Sequence, residues 1–486
     1  MEKIQEKYEI SGDMASQYSA MDEDKDLKRI KLNRQKEIPK DETYSWVLER
    51  LFSYGEVSCF VNANEDYSYA CLQRQMLQWQ KELDQMGIKP GQIIGIVVQE
   101  KFYCLSLVLT LLLNRNIIVP LAEDVSDCEG KWTISGARYY FDCPSNKWIE
   151  RSDAVCPDLV EELRQENDGG VVIFTSGTTG KSKAALLQTA DIFRKFKTVK
   201  KAWRSLIFLK LDHIGGINTL LAIWLNGGCI VCSKERSVKA VCQTIEAKQV
   251  DLLPTTPSFL NLFLMSSLYR NYNLSSLKVI SYGTEPMPDS TLKALHTTFP
   301  EIKLKQTYGL TELDIFSTQS KASNSNWMKI KGDGVSLEVR NGELWIRSKG
   351  GMKGYLNAPS PFDDQGWYNT GDKVEKKGDY YRILGRKSDI INIGGEKVYP
   401  VEVESVLLEM PYIQDVKVEG KSNPVMGQVV SAIFVLEREE SVKDLKKRMQ
   451  SFCSERLERF KIPVVVQISK QPLMGHRFKK ARIVNK

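Results

Sequence analysis

Between residues 57 and 120 the chain alternates short apolar runs with helical patterns, and few folds accept that order. Val57–Val61, Ile93–Val98 and Asn116–Pro120 are runs of strand length. Between them, Tyr67–Met86 and Tyr103–Leu113 space their apolar residues as helices do. Lys89-Pro90-Gly91 stops the first of these helices. Strands that alternate with helices imply parallel sheet with helices on its faces. The pattern returns later, with helices near Asp191–Thr198 and Ile217–Leu225 and short strands at Ser205–Leu209, Val250–Leu253, Lys278–Tyr282 and Lys303–Gln306. The fold class is therefore α/β. From about residue 326 to 384 strand signals dominate. There Asn341-Gly342 sits between Val335–Val339 and Glu343–Ile346 as a hairpin turn. Beyond Gly385 a compact α+β unit of about 100 residues is expected, with helices at Val401–Glu409 and Ser441–Phe460 and a strand at Val464–Ile468. The expected division is a charged, flexible extension over 1–43, a large domain over 44–384 and a small one over 385–486.

The apolar run Val171–Phe174 leads into Phe174-Thr-Ser-Gly-Thr-Thr-Gly-Lys-Ser-Lys183. This stretch gathers the hydroxyls of Thr175, Ser176, Thr178 and Thr179, the glycines Gly177 and Gly180, and the ammonium groups of Lys181 and Lys183. Exposed N–H groups, hydroxyls and ammonium groups together suit a polyphosphate. A polar surface turn is the plain alternative. Gly180-Lys181-Ser182 looks like the end of a P-loop, but the first glycine of that motif would fall on Thr175. A P-loop nucleotidase is thus a partial match only.

Charge and cysteine usage narrow the class. The 486 residues carry 68 basic and 61 acidic side chains, a net charge of +7 that is dispersed along the chain. A dispersed excess does not argue for nucleic acid and is compatible with small anions such as ATP or coenzyme A. The ten cysteines are mostly scattered, and Cys229-Ile-Val-Cys232 has no second pair to complete a zinc site. They read as reduced thiols of a cytoplasmic protein. The N-terminus lacks a signal-peptide core, and Cys104–Leu113 falls far short of the ~20 residues that span a bilayer, so no integral membrane protein is expected. With only His213, His296 and His476, a histidine-based catalytic or metal cluster is not expected either.

Five well-spaced stretches and a degenerate sixth resemble the adenylate-forming (AMP-binding) enzymes, the superfamily of acyl-CoA synthetases, luciferases and non-ribosomal peptide adenylation domains. The first is the loop above, where Ser182 and Ala184 replace the usual proline and last glycine. The others are Ser281-Tyr-Gly-Thr-Glu-Pro-Met-Pro288, Gln306-Thr-Tyr-Gly-Leu-Thr-Glu312, Trp367-Tyr-Asn-Thr-Gly-Asp372 and the long run from Gly385-Arg-Lys-Ser-Asp389 to Glu404. The sixth, Pro472-Leu-Met-Gly-His-Arg-Phe-Lys-Lys-Ala-Arg482, lacks the family's Gly-Lys pair. Spacing from Gly475 puts His476 in the lysine slot. Spacing from Pro472, with one inserted residue, puts Lys479 there, with Lys480 close behind and Arg482 three further on.

The resemblance implies a large multi-subdomain N-terminal domain, a small mobile C-terminal domain and a hinge near 386–389. It implies ATP- and Mg2+-dependent activation of a carboxylic acid to an acyl-adenylate, with release of pyrophosphate. Transfer follows to coenzyme A or to the phosphopantetheine of an acyl carrier protein. A fatty or aryl acid is expected. A freestanding amino-acid adenylation enzyme, in which Asp212 would hold the amine, and a nucleotide-binding member with degraded catalysis are the alternatives. Lys479, Thr175 and Glu312 are implied as catalytic, with Glu312 on the metal. Nucleotide contacts are implied for Thr175, Ser176, Gly177, Thr178, Thr179, Gly180, Lys183, Gly283, Thr284, Glu285, Pro286, Thr307, Tyr308, Gly309, Thr311, Asp372 and Arg386. His213, Gly216, Tyr282 and Gly283 would line the acyl pocket, and Gly394 with Gly395 the thiol path.

Overall fold

A computed structural model describes residues 42–125, 127–176, 182–475 and 480. Helix Glu42–Ser53 opens the described chain. The chain forms one unit up to Glu49 and a second over Arg50–Lys486, and the second holds all that follows. Among its described residues are three sheets of seven strands and one of five.

The first sheet runs in the order Lys303–Gln306, Val279–Tyr282, Leu252–Thr255, Arg204–Leu206, Cys229–Val231, Ser58–Val61, Asp66–Ser68. All neighbours in it are parallel except the last pair. The second sheet centres on Ile93–Val98 and Ile117–Ala122, which are apolar at nearly every position. Such continuous runs are what a parallel strand covered on both faces requires. Helix Phe102–Leu113 is buried along almost its whole length for the same reason. The α/β reading therefore holds.

Local chemistry corrects several boundaries. The first long helix begins at Tyr69, because the Ser68 side chain accepts from Cys71 N and caps it, while Asp66–Ser68 pairs as a strand. The helix expected over Ser441–Phe460 is capped by Ser441 and ends at Cys453. A strand at Ser182–Gln188 pairs antiparallel with Gly170–Ser176. Its outer edge is paired by Gly354–Tyr355.

The third sheet is antiparallel and runs from Tyr308–Leu310 to Ser336–Arg340. Asn341 and Gly342 have φ of 52° and 72° at the tip of its terminal hairpin, the backbone that an Asn-Gly turn allows. The fourth sheet, over residues 391–468, has its own core of Val403, Leu407, Val416, Phe434, Leu445 and neighbours.

Candidate active site

Glu312 sits at the tip of a hairpin. Leu310 pairs with Asp314, leaving Thr311–Leu313 as a three-residue turn. Asp314 takes the left-handed position that closes it, with φ 62°. The turn is held from outside by Lys195, whose Nζ lies 2.5 Å from Asp314 Oδ2. Burial pushes the Lys195 ammonium below its usual range, and Asp314 opposes the shift. Thr311 is buried beside Glu312.

Glu312 Oε1 accepts a hydrogen bond of 2.6 Å from the Tyr355 hydroxyl. The Tyr355 phenol is pushed far above its usual range, first by burial and then by this carboxylate, so it stays protonated and donates. Lys183 Nζ lies 5.0 Å from the centre of the same ring. Tyr355 thus links the end of the glycine-rich loop to Glu312. Its backbone pairs with Ala185, two residues beyond Lys183. Nearby, Asn357 Oδ1 accepts from Ala184 N at 2.9 Å and its amide donates to Ser182 O at 2.9 Å. The Oε2 oxygen of Glu312 stands apart from the Tyr355 bond. One protein carboxylate completed by phosphate oxygens is the donor set that Mg2+ takes with a nucleotide, so these residues fit the ion.

A second cluster joins this hairpin to the strands Tyr368–Lys377 and Tyr380–Arg386 of the same sheet. The Tyr308 hydroxyl donates to Asp372 Oδ2 at 2.6 Å, and Arg386 Nε lies 3.5 Å from Asp372 Oδ1. Asp372 and Arg386 are direct partners across Tyr368–Lys377 and Tyr380–Arg386. Burial raises the Asp372 carboxyl, and the Arg386 guanidinium and the Tyr308 hydroxyl oppose that rise. Tyr308 and Glu312 belong to one hairpin, so both clusters share a support. Gly309 lies between them at a point where a Cβ would come within 2.6 Å of Ile315.

Gly283 closes the arrangement. A Cβ there would come within 2.2 Å of Thr307 Oγ1, so only glycine lets the two segments meet. Thr307 N and Oγ1 both bond Tyr282 O, at 2.7 and 3.0 Å. Thr284 follows with φ 74°, an unusual backbone for threonine. Glu285 Oε1 accepts from Ser258 N at 2.8 Å.

The profile of the AMP-binding enzyme family matches residues 49–356, and that of the AMP-binding enzyme C-terminal domain matches 402–476. The chain belongs to the AMP-binding enzyme family. Its relatives are named as acid–thiol ligases, in line with the enzyme class that the motifs implied. A 2-succinylbenzoate–CoA ligase of Bacillus licheniformis is 29% identical over 339 residues, covering 64% of this chain and 68% of that protein. An indoleacetate–CoA ligase of Aromatoleum aromaticum is 29% identical over 326 residues, covering 61% and 63%. Among solved structures, the o-succinylbenzoate CoA synthetase of Bacillus subtilis with its acyl-adenylate intermediate matches with a TM-score of 0.72 at 23% identity, over 90% of this chain and 96% of that one. An anthranilate CoA ligase with anthranoyl-AMP matches at 0.74 and 17%, over 89% and 95%. At these identities the two structures establish the adenylate-forming fold.

Other expected residues of this AMP-binding enzyme lie as follows. Thr175 and Ser176 end the strand Gly170–Ser176, facing Lys183 and Ser182. Gly177, Thr178, Thr179, Gly180 and Lys181 lie outside the described residues, as do His476 and Lys479. His213 caps helix Ile214–Trp224, its Nδ1 accepting from Gly215 N at 3.0 Å. Gly216 is where that helix passes so close to Lys210 that a Cβ would come within 2.1 Å of its carbonyl oxygen. Tyr282 is buried in the core of the first sheet. Pro286 follows Glu285 toward the buried Met287. Gly394 and Gly395, with φ of 58° and 100°, make the turn between Ile391–Ile393 and Glu396–Val398. Tyr355, Asn357, Lys195 and Asp314 were not anticipated, since each acts through a partner distant in sequence.

The strand that carries Arg386 passes into the short turn Lys387–Asp389. Lys387 Nζ lies 3.1 Å from Glu343 Oε1, and Lys373 Nζ 3.0 Å from the same oxygen. The Asn369 amide donates to Glu343 Oε2 at 2.9 Å. The Asn369 bond first, then the two ammonium groups, lower the Glu343 carboxyl to about 2. A lowered folded value stabilises the protein above the ordinary carboxylate range and is lost as pH falls toward that value. Thermal melting of Glu343→Gln should therefore respond less to acid than the parent between pH about 4.5 and about 2. Parallel melting curves across that window would show that Glu343 carries no such linkage.

Proposed function

We propose that this enzyme activates a carboxylic acid with ATP and passes the acyl group to coenzyme A. The observation that carries this reading is that one hairpin bears both Glu312 and Tyr308, and that the Tyr308 hydroxyl bonds Asp372. The acid's carboxylate oxygen attacks the α-phosphorus of ATP and expels pyrophosphate. The thiol sulfur then attacks the acyl carbonyl of the mixed anhydride, AMP leaves, and a thioester forms.

Each group has work suited to its chemistry. Asp372 accepts from the ribose hydroxyls, with Arg386 beside it. Gly283, Thr284, Glu285 and Pro286 border the adenine and the acyl group. The hydroxyls of the 175–179 stretch and Lys183 hold phosphate oxygens. Glu312 would hold Mg2+, which supplies charge stabilisation on those oxygens. Lys479 reaches the forming acyl–phosphate bond, while Gly394 and Gly395 line the thiol's approach once the domain beyond the 386–389 hinge has turned.

Of the fatty and aryl acids expected, the names of the relatives favour an aryl acid, and they favour coenzyme A over a carrier protein as acceptor. Among the described residues no helix is long and apolar enough to cross a membrane. Ten free cysteines accord with the reducing cytoplasm.

The test is pyrophosphate release across a panel of aryl, fatty and amino acids. We expect the highest kcat/KM with an aryl acid, and a thioester when coenzyme A is added. Preference for an α-amino acid would move the reading to amino-acid adenylation. No release with any acid of the panel would leave only nucleotide binding.

A further inference from the structure

Lys480 follows the residue expected to be catalytic and carries a charge of its own. Its side chain is nevertheless buried, with 7% exposure. Nζ lies 2.5 Å from Val416 O, 3.3 Å from Asp415 Oδ1 and 3.5 Å from Glu404 Oε2. Both acids are themselves anchored: Glu404 Oε1 accepts from Val418 N at 2.9 Å, and Asp415 Oδ1 from Val416 N at 2.8 Å. Glu404 is 1% exposed. An unpaired charge in such a place is strongly unfavourable, so the ammonium and the two carboxylates depend on one another. The main chain of Lys480 meanwhile pairs with Met474 and directs its N–H to Glu285 Oε2 at 3.4 Å. Glu285 belongs to the Gly283–Pro286 segment of the nucleotide site. The same interface carries Asn261 Nδ2 to Gln414 O at 3.2 Å and Ser290 N to Ser405 Oγ at 3.0 Å.

We propose that Lys480 is a positioning residue for the acid-activating half-reaction: its buried ion cluster with Glu404 and Asp415 fixes the chain at position 480, and its backbone bond to Glu285 registers that position on the nucleotide site. The inference rests on the adenylating activity proposed above. The ion cluster lies wholly within the C-terminal region, so it persists when that region turns. The Glu285 contact crosses to the other domain and is made only in this arrangement. An aliphatic side chain would fill the site but would not fix the position by charge, since apolar contact is non-directional.

The experiment compares Lys480→Ala and Lys480→Arg with the parent in two assays and one structural readout. The assays are acyl-adenylate formation from ATP and thioester formation from supplied acyl-adenylate. The readout is hydrogen exchange of the peptide over residues 470–486, with and without ATP. In Lys480→Ala exchange should rise about tenfold and adenylate formation fall about ten- to a hundredfold, the effect of a misplacement of order 1 Å. Thioester formation should stay within about twofold of the parent, and Lys480→Arg should recover most of both losses. Equal loss in the two half-reactions, or normal adenylation despite fast exchange, would overturn the proposal. If Lys480→Ala does not fold, Lys480→Met combined with Glu404→Gln removes charge from both sides and carries the same comparison. A parent protein that adenylates no acid overturns the proposed activity instead. The exchange data would then still decide whether the cluster fixes the segment: unchanged exchange in Lys480→Ala refutes it.

Discussion

Lys479→Ala is expected to lose acyl-adenylate formation by about 10²–10³-fold, the scale on which a preorganised charge donor acts. Thioester formation from supplied acyl-adenylate should be nearly unchanged, because the role proposed for the lysine, at the acyl–phosphate bond, belongs to the first step alone. The residue lies outside the described part of the chain, so its assignment rests on its spacing from Pro472 and Arg482. His476→Ala, the other spacing, should adenylate normally. Lys480 supplies the sharper contrast, since its ammonium is engaged by Glu404 and Asp415. Arginine should restore function at position 480, where anchoring is at stake. It should not at 479, where the reach of one ammonium group is. Hydrogen exchange of the segment should be unaffected in Lys479→Ala. Normal adenylation in that variant would show that the family mechanism does not extend to this C-terminus.

Glu312→Gln should lower ATP-dependent turnover by about a hundredfold or more and raise the Mg2+ concentration needed for half-maximal rate. The amide oxygen still accepts the bond from Tyr355, so the hairpin and its melting temperature should be little changed. That separates loss of charge from loss of structure. An unaltered Mg2+ response would remove Glu312 from the metal. Titrating Mg2+ against both forms at saturating ATP decides it.

The residues expected for such chemistry stand out in the sequence because they come in compact strings. Tyr308-Gly-Leu-Thr-Glu312 places hydroxyls and a carboxylate within five residues. Supports were not legible. Tyr355 meets Glu312 across 43 residues, and Lys195 meets Asp314 across 119. No local pattern announces such a pair. The strand Ser182–Gln188 was missed because its apolar part, Ala184-Ala-Leu-Leu187, has no β-branched residue and reads equally as helix. Only pairing with Gly170–Ser176 decides the matter. The small α+β unit was anticipated, but not that the position of Lys480 would be both buried and charged.

The strand pair that flanks the glycine-rich stretch has a temporal consequence. Its outer strand is completed by Gly354–Tyr355 and by Asn357, the last bonded to Ala184 from 173 residues away. On the ribosome that strand therefore waits, one edge bare, while the intervening chain is made. Contacts this remote close late, and exposed strand edges invite wrong partners in the meantime. A nascent chain halted before residue 354 would own the whole loop yet lack Tyr355 to join it to Glu312. ATP is thus poorly suited to template the early stages of this protein's synthesis. It becomes a stabilising ligand only after nearly three quarters of the chain has emerged.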